Sequence, residues 1–482
     1  MPPVCEVDEM AGEIVKHDGR GMISRGRHRF DVPDGPFGER VQDWILEHSV
    51  EHLHGPESVD YAIDELVVLV LLRNGRPYID EFVEHYLSLG AKHIVFLDNG
   101  STDGSVEAMR RHDNVTVLRT GLPYKKYNVA MKRYCIRRFG RGRWTLTVDI
   151  DELFEYPYSN VVGLRALLGY LNDNSYNAMV AYMLDMFPEE PLSEDQGGKT
   201  ESLRASHRFY DVSGVRPQNY HDIGDIGNVL SNEEVMILKG GVQKEVFHVS
   251  PLLTKHPLIF LDDEVRPMDL SDHWAGNARV ADLTGILLHY KLSANLYEMV
   301  RREVEERRYI SRHGKYDKYL EVLQQAPNVL IKGDTSKELK SVNDLVGSRM
   351  VAVSGQYLRF VEAEESRNGF SSEEARSERF FSAFVNAKAE VAAYGKRIGE
   401  LEKQVKEVRR RAARARREVK ENLERGGQER QRHLELRALR AEKQLREIQS
   451  SNSWKALVAL GRVKSGVGGA LGRLRGLAWR SK

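Results

Sequence analysis

Apolar runs and amphipathic runs alternate along the first third of this chain. Leu66 to Leu72 is apolar at every position, which predicts a strand buried on both faces, and the polar loop Arg73, Asn74, Gly75 ends it. From Tyr78 to Leu89 the residues Ile79, Phe82, Val83, Tyr86 and Leu87 share one helical stripe, with Gly90 as the stop. His93 to Leu97 predicts a second strand, broken by the polar run Asp98 to Gly104, and Ser105 to Arg111 starts another helix. Val115 to Leu118 predicts a third strand and Tyr127 to Phe139 a helix, after which Trp144 opens a strand that runs into Asp149, Asp151 and Glu152. This order predicts an α/β fold with a mostly parallel sheet, right-handed crossovers and flanking helices.

Ligands of such sheets bind beyond the carboxyl ends of the strands, where Arg73, Asn74, Asp98, Asn99, Asp149 and Asp151 fall. Carboxylates at i and i+2 of an extended chain project to one side and repel, so Asp149 and Asp151 suit a divalent cation such as Mg²⁺ or Mn²⁺. An isolated D-x-D is explained as readily by a strand ending in solvent; agreement among three successive strand ends weighs against that. Lys125, Lys126, Lys132 and Arg133 add positive charge nearby or form a solvated helix face.

From about Leu66 to Pro157 these motifs resemble the nucleotide-binding half of a GT-A glycosyltransferase, in the family 2-like group close to family 92. An R-N-E type first loop reads Arg73, Asn74, Gly75 here; a D-N-G-S-x-D loop reads Asp98 to Asp103; a W-x-x-x-x-D-x-D-E strand reads Trp144 to Glu152. Gly75 departs from the pattern by replacing an acidic residue. The resemblance implies a GT-A (Rossmann-like) sheet in which Asp98 bonds the nucleotide base, with Arg73, Asn74 and Asn99 lining the same pocket. It implies further that Lys126 lends charge to the donor, and that Asp149 and Asp151 hold the cation and the ribose and diphosphate of a nucleotide sugar.

More loosely, the resemblance continues to about residue 310. Asn177 to Phe187 resembles a strand with a D-M-[YF] ending, which brings Asp185 to the acceptor cleft. The Gly240-Gly241 turn, Leu253 to Leu258, and Gly285 to Lys291 resemble further family segments. Many GT-A enzymes use a late histidine as an extra cation ligand, and His289 fits that place, with His273 as the competitor and a satisfied core histidine as the plain alternative. Family 2-like enzymes invert the sugar's configuration and need a carboxylate base; Asp185, Asp225 and Asp282 are the candidates, Asp185 in the best context.

The 482 residues are 41% apolar and carry a net charge of +1, ample for a large core and no footprint for nucleic acid. Two cysteines, Cys5 and Cys135, make no disulfide framework, and no apolar stretch is long enough to span a bilayer. A cytoplasmic enzyme using cytosolic nucleotide sugars is the resulting expectation, with a glycan, lipid-linked or protein acceptor.

After about residue 365 the composition changes. Phe384, Ala387, Val391, Tyr394, Ile398, Leu401, Val405, Val408, Ala412, Ala415 and Val419 follow a coiled-coil seam; Gly426-Gly427 interrupts it, and Leu434, Ala438, Ala441, Leu445 and Ile448 resume in another phase. Homo-oligomerisation covers such a seam, as would a hairpin folded at the diglycine. From Trp454 to Lys482 there are basic and apolar residues but no acid, which suits the inner face of an anionic plasma membrane or a flexible basic tail. The expected organisation is an N-terminal extension (1–60), a glycosyltransferase domain (61–330, nucleotide-sugar half 61–157 and acceptor half 158–330), a helical linker (331–380), a coiled coil (381–450) and a basic amphipathic tail (451–482). Two other classes stay open. A metal-dependent hydrolase or phosphotransferase would favour a G-x-x-x-x-G-K-[ST] loop, which the sequence lacks. A coiled-coil assembly protein with a degenerate catalytic domain is favoured by Gly75 and disfavoured by Asp98, Asp149, Asp151 and His289 together.

Overall fold

A computed structural model describes residues 36–193, 202–224, 226–269, 271–293, 295–306, 314–326, 328–346, 348, 350–368, 403, 406, 407, 410, 411 and 414. The coiled-coil seam, the basic tail and Asp225 lie outside the described residues. Among the described residues no helix is long and apolar enough to cross a membrane.

Helix α1 (Pro36–Ser49) and strand β1 (Glu51–His54) come from a stretch with no sequence motif. Then follow β2 (Leu66–Leu72), α2 (Ile79–Leu89), β3 (His93–Asp98), α3 (Ser105–Met109), β4 (Val115–Arg119), α4 (Tyr124–Phe139) and β5 (Trp144–Val148). Every side chain of β2 and β3 is buried, as apolar runs covered by helices on both faces require. At the end of α2, Gly90 takes the left-handed conformation (φ 106°) and its N–H closes on the carbonyls of Leu87 and Tyr86. Asp80 and Glu81 sit in the first turn of α2, and Arg137 and Arg138 in the last turn of α4, each matching the helix dipole.

β4, β3, β2 and β5 are parallel neighbours in that order, and β1 closes the β4 edge antiparallel. The chain thus steps outward from β2 to β4, then returns across α4 to place β5 on the other side of β2. That reversal opens a crevice between the carboxyl ends of β2 and β5, the place where such sheets take ligands.

Beyond β5 the chain forms β6 (Glu152–Glu155), α5 (Leu164–Asp173) and β7 (Ala178–Asp185). The short elements α6 (Leu203–Ser206), β8 (Phe209–Tyr210), β9 (Val215–Asn219), β10 (Val229–Leu230), β11 (Met236–Gly240) and α7 (Val242–Phe247) come next. β12 (Thr254–Phe260) inserts antiparallel between β5 and β7, and is followed by β13 (Arg279–Val280) and β14 (Gly285–His289). β14 runs parallel to β7 and antiparallel to β6, so the ends of β7 and β14 and the start of β6 meet. The result is a mixed α/β protein with a mostly parallel central sheet.

α8 (Asn295–Glu306) and α9 (Lys315–Gln325) pack with α7 on a second, smaller core of Phe187, Phe247, Leu292, Leu296, Val300 and Tyr319. Where a helical linker is expected, the chain builds β15 (Lys337–Glu338), paired with β8, and α10 (Gly355–Asn368). Tyr357 of α10 is fully buried and donates to the Pro157 carbonyl at 2.9 Å. Apolar positions such as Val342, Leu345, Val351 and Val361 in this stretch join the main core.

Candidate active site

The rim of the crevice is a pair of loops fastened to each other. After β2, Asn74 adopts φ 59°, its N–H donates to Ser101 Oγ at 2.8 Å, and its Oδ1 accepts from the Thr102 N–H at 2.8 Å. Arg73 Nε donates to the Gly100 carbonyl at 3.2 Å, and its guanidinium pairs with Glu306 of α8. After β3, the wholly buried Asp98 accepts from the N–H groups of Gly100 and Ser101 and from Arg119 Nε at 3.0 Å. Asn99 Nδ2 donates to the carbonyls of Thr120 and Leu122. Asp98 and Asn99, expected on the nucleotide, thus spend these bonds on shaping the loop. Lys126 is exposed in the first turn of α4, with its ammonium 5.4 Å from the Tyr127 ring centre.

Gly75 donates to Ser105 Oγ at 2.9 Å. A Cβ at this position would stand 3.0 Å from both Ile150 Cγ1 and Leu72 Cδ1. Ile150, between the two aspartates, is therefore one of the side chains that any residue larger than glycine at 75 would press against.

On the floor, β5 ends in a turn in which the Glu152 N–H donates to the Asp149 carbonyl and Glu152 Oε2 accepts from the Asp149 N–H, both at 3.0 Å. Asp149 and Asp151 consequently diverge. Asp149 Oδ1 is 2.9 Å from Lys132 Nζ and its Oδ2 is 2.8 Å from Lys255 Nζ. Lys132 also reaches Asp272 at 3.0 Å, and Lys255 reaches Glu152 at 2.6 Å. Both lysines are buried, whereas the Asp149 side chain is 37% exposed. Burial opposes ionisation of Asp149, yet the Lys132 and Lys255 ammoniums hold it well below the usual carboxylate range. Burial prevails at Glu152 and raises it despite Lys255, while at Asp272 Lys132 outweighs burial and brings the carboxyl to about 2. Neither Asp272 nor Lys255 was marked by the sequence as a partner of Asp149.

Asp151 faces His289. Their Oδ2 and Nε2 atoms are 3.5 Å apart, and His289 Nδ1 lies 2.6 Å from Asp185 Oδ1, which also accepts from Gln243 Nε2 at 2.8 Å. Burial pulls the His289 imidazolium down, but Asp151 and then the Asp185 bond reverse this and raise it to about 10. The second core closes this side: Tyr319 donates to Gln243 Oε1 at 2.5 Å, and the Lys291 ammonium lies 5.1 and 5.2 Å from the Tyr316 and Tyr319 rings. The charge of Lys291, followed by burial, brings the Lys315 amine down to about 7.

Asp185, expected as the base, is buried behind the imidazole with Oδ1 doubly bonded. Asp282 bonds Tyr170 and Ser354 ahead of β14, at the opposite end of that strand from His289. His273 is partly buried beside the Thr254 carbonyl, and desolvation lowers it to about 4.

Among the described residues no three His, Cys, Asp or Glu side chains are grouped to hold a metal by themselves. Asp149 is taken by two lysines. Asp151 and His289 form an ion pair, and they would offer an oxygen and a nitrogen to one Mg²⁺ or Mn²⁺ only as the ion displaces the Nε2 proton, with the Asp185 carboxylate holding the far ring nitrogen. That donor set fits a divalent ion bound together with a diphosphate.

Fold and site together define a mixed α/β protein with a charged crevice at the point where its strand order reverses. No family model matches the chain. Over 125 residues it is 27% identical to a glycosyltransferase family 92 protein of Arabidopsis thaliana, a match covering 24% of this chain and 22% of the relative. The chain thus spans less than a quarter of the length of the curated relative it matches. This supports a distant glycosyltransferase relationship over that stretch at most.

Proposed function

We propose that the crevice is a GT-A-type site that transfers a sugar from a nucleotide sugar to an acceptor hydroxyl, whose proton is released to solvent, in glycan or cell-surface polysaccharide synthesis. The observation that carries this reading is the 3.5 Å approach of Asp151 Oδ2 and His289 Nε2 at the strand-order reversal. Bound there, Mn²⁺ or Mg²⁺ would offset the negative charge that grows on the β-phosphate as the sugar leaves.

The chain's own residues divide the remaining work. Asp185 acts as a positioning residue: it accepts from His289 Nδ1 and turns Nε2 toward Asp151. Lys132 and Lys255 neutralise Asp149, so an incoming diphosphate meets a floor of reduced negative charge, and Asp149 retains exposed surface for a donor hydroxyl. Arg73, Asn74, Asp98 and Asn99 hold the rim against which the nucleotide lies, and Lys126 stands at the start of α4 to meet its phosphates. The acceptor, whether glycan, lipid-linked or protein, enters from the β7 side. A cytoplasmic homo-oligomer joined by the 381–450 coiled coil and touching the membrane through 451–482 fits this role.

Thermal shift of the full chain with UDP-, GDP-, CMP- and dTDP-sugars, in Mn²⁺ and in EDTA, tests the reading. One nucleotide class should stabilise in Mn²⁺ alone, by about 2.7 kcal/mol at a hundredfold excess over Kd. Asp151→Asn should abolish that shift together with donor hydrolysis. Absence of any shift with folded protein overturns the proposal.

A further inference from the structure

Three lysines are buried among the described residues, and two of them are neutralised. Lys132 holds Asp149 and Asp272, and Lys255 holds Asp149 and Glu152. Lys291 is the exception. It is 9% exposed, and among the described residues its ammonium has no carboxylate within ion-pair distance and no hydrogen-bond acceptor. Its contacts are the rings of Tyr316 and Tyr319, which offset only part of the cost of drawing a charge out of water. The Nζ atom itself is not sealed in and keeps solvent contact.

The backbone turns this charge toward the crevice. Leu288 and Tyr290 line a cavity on one side of the chain, whereas His289 and Lys291 point to the other. Tyr290 donates its N–H to the Asp151 carbonyl at 2.8 Å, so Lys291 follows directly on a residue fastened to the aspartate turn. Its ammonium lies within electrostatic reach of the Asp151 and Asp185 carboxylates, and the Tyr78 hydroxyl feels both Asp151 and Lys291. Lys315, at the start of α9, is so near that the Lys291 charge is the first influence on its amine. Two basic groups held side by side in a half-dry wall, one of them without a counter-ion, favour an anion beside them.

We propose that Lys291 is a catalytic residue that binds the β-phosphate of the donor's diphosphate. Naming that anion rests on the transfer reading; the anion site itself does not. As the acceptor oxygen bonds the anomeric carbon, the bond from that carbon to the β-phosphate oxygen breaks, and its electron pair stays on the phosphate. Lys291 donates a hydrogen bond to that oxygen and remains an ammonium, while the acceptor's proton goes to solvent.

Titration calorimetry of the full chain with inorganic pyrophosphate in EDTA tests this without metal or nucleotide. The native protein should bind pyrophosphate at least about tenfold more tightly than Lys291→Met does. Without ligand, Lys291→Met should unfold thermally at or above the native temperature, because it removes an unpaired buried charge. Asp151→Asn, which disables the cation site, should keep the metal-free binding or tighten it. Absence of pyrophosphate binding by the native protein, equal binding by Lys291→Met, or loss of binding in Asp151→Asn overturns the proposal. A marked drop in the unfolding temperature of both Lys291→Met and Lys291→Gln would make Lys291 a structural cation and overturn it as well. Failure of the transfer reading shows elsewhere, as the lack of any Mn²⁺-dependent shift with nucleotide sugars, so the two failures are told apart.

Discussion

Asp185 Oδ1 and His289 Nδ1 lie 2.6 Å apart as register partners on adjacent parallel strands. This contact turns the other ring nitrogen toward Asp151. Asp185→Asn keeps the shape and removes the charge, so Mn²⁺ affinity measured calorimetrically should fall about 10- to 100-fold. Were Asp185 a proton acceptor only, Mn²⁺ affinity would stay unchanged and kcat alone would drop.

Asp272 gives a pH test. Its carboxyl sits near 2 in the folded protein against an ordinary 3.8, so its contribution to stability is complete above 3.8 and disappears as pH falls through 2. Urea midpoints of the native protein should exceed those of Asp272→Asn at neutral pH, and the gap should close near pH 2.

Lys255 is the shared counter-ion of Asp149 and Glu152. Lys255→Met should cost about 3–5 kcal/mol in chemical denaturation, since it strands a buried Glu152. Adding Glu152→Gln should recover part of that loss. A double variant no more stable than the single one would contradict the arrangement.

At Gly75 the question is space. Gly75→Glu should destabilise by about 1–3 kcal/mol, because its Cβ meets Ile150 and Leu72 at 3.0 Å. Combining it with Ile150→Ala should relieve most of the cost. Equal stability of Gly75→Glu and native protein, by thermal unfolding, would show that Ile150 does not fill that space.

The alternation of apolar runs and helical stripes made β2 through β5 legible in order, and with them the loops at their carboxyl ends. Local pattern carries such information because each of these strands is buried on both faces. The partners of the acids were not legible. Lys255 and Asp272 arrive more than a hundred residues later, the first on the strand inserted antiparallel between β5 and β7 and the second in a turn beyond it, and nothing near Asp149 in sequence marks them. Asp98 and Asn99 are conspicuous in sequence as polar residues at a strand end, but only the folded loop reveals that its own N–H groups, Arg119 and two carbonyls engage them. Residues 36–54 and 331–368 lack motifs because edge strands and short core contacts need few apolar positions, and those positions need no period.

Lys255 reaches the floor of the crevice from β12, more than a hundred residues beyond β5 in the chain. A fragment ending near residue 160 would keep Asp149 and Glu152 without the ammonium that both of them grip. The stretch through β6 is therefore not autonomous: it cannot be excised, grafted or swapped as a cassette unless β12 travels with it.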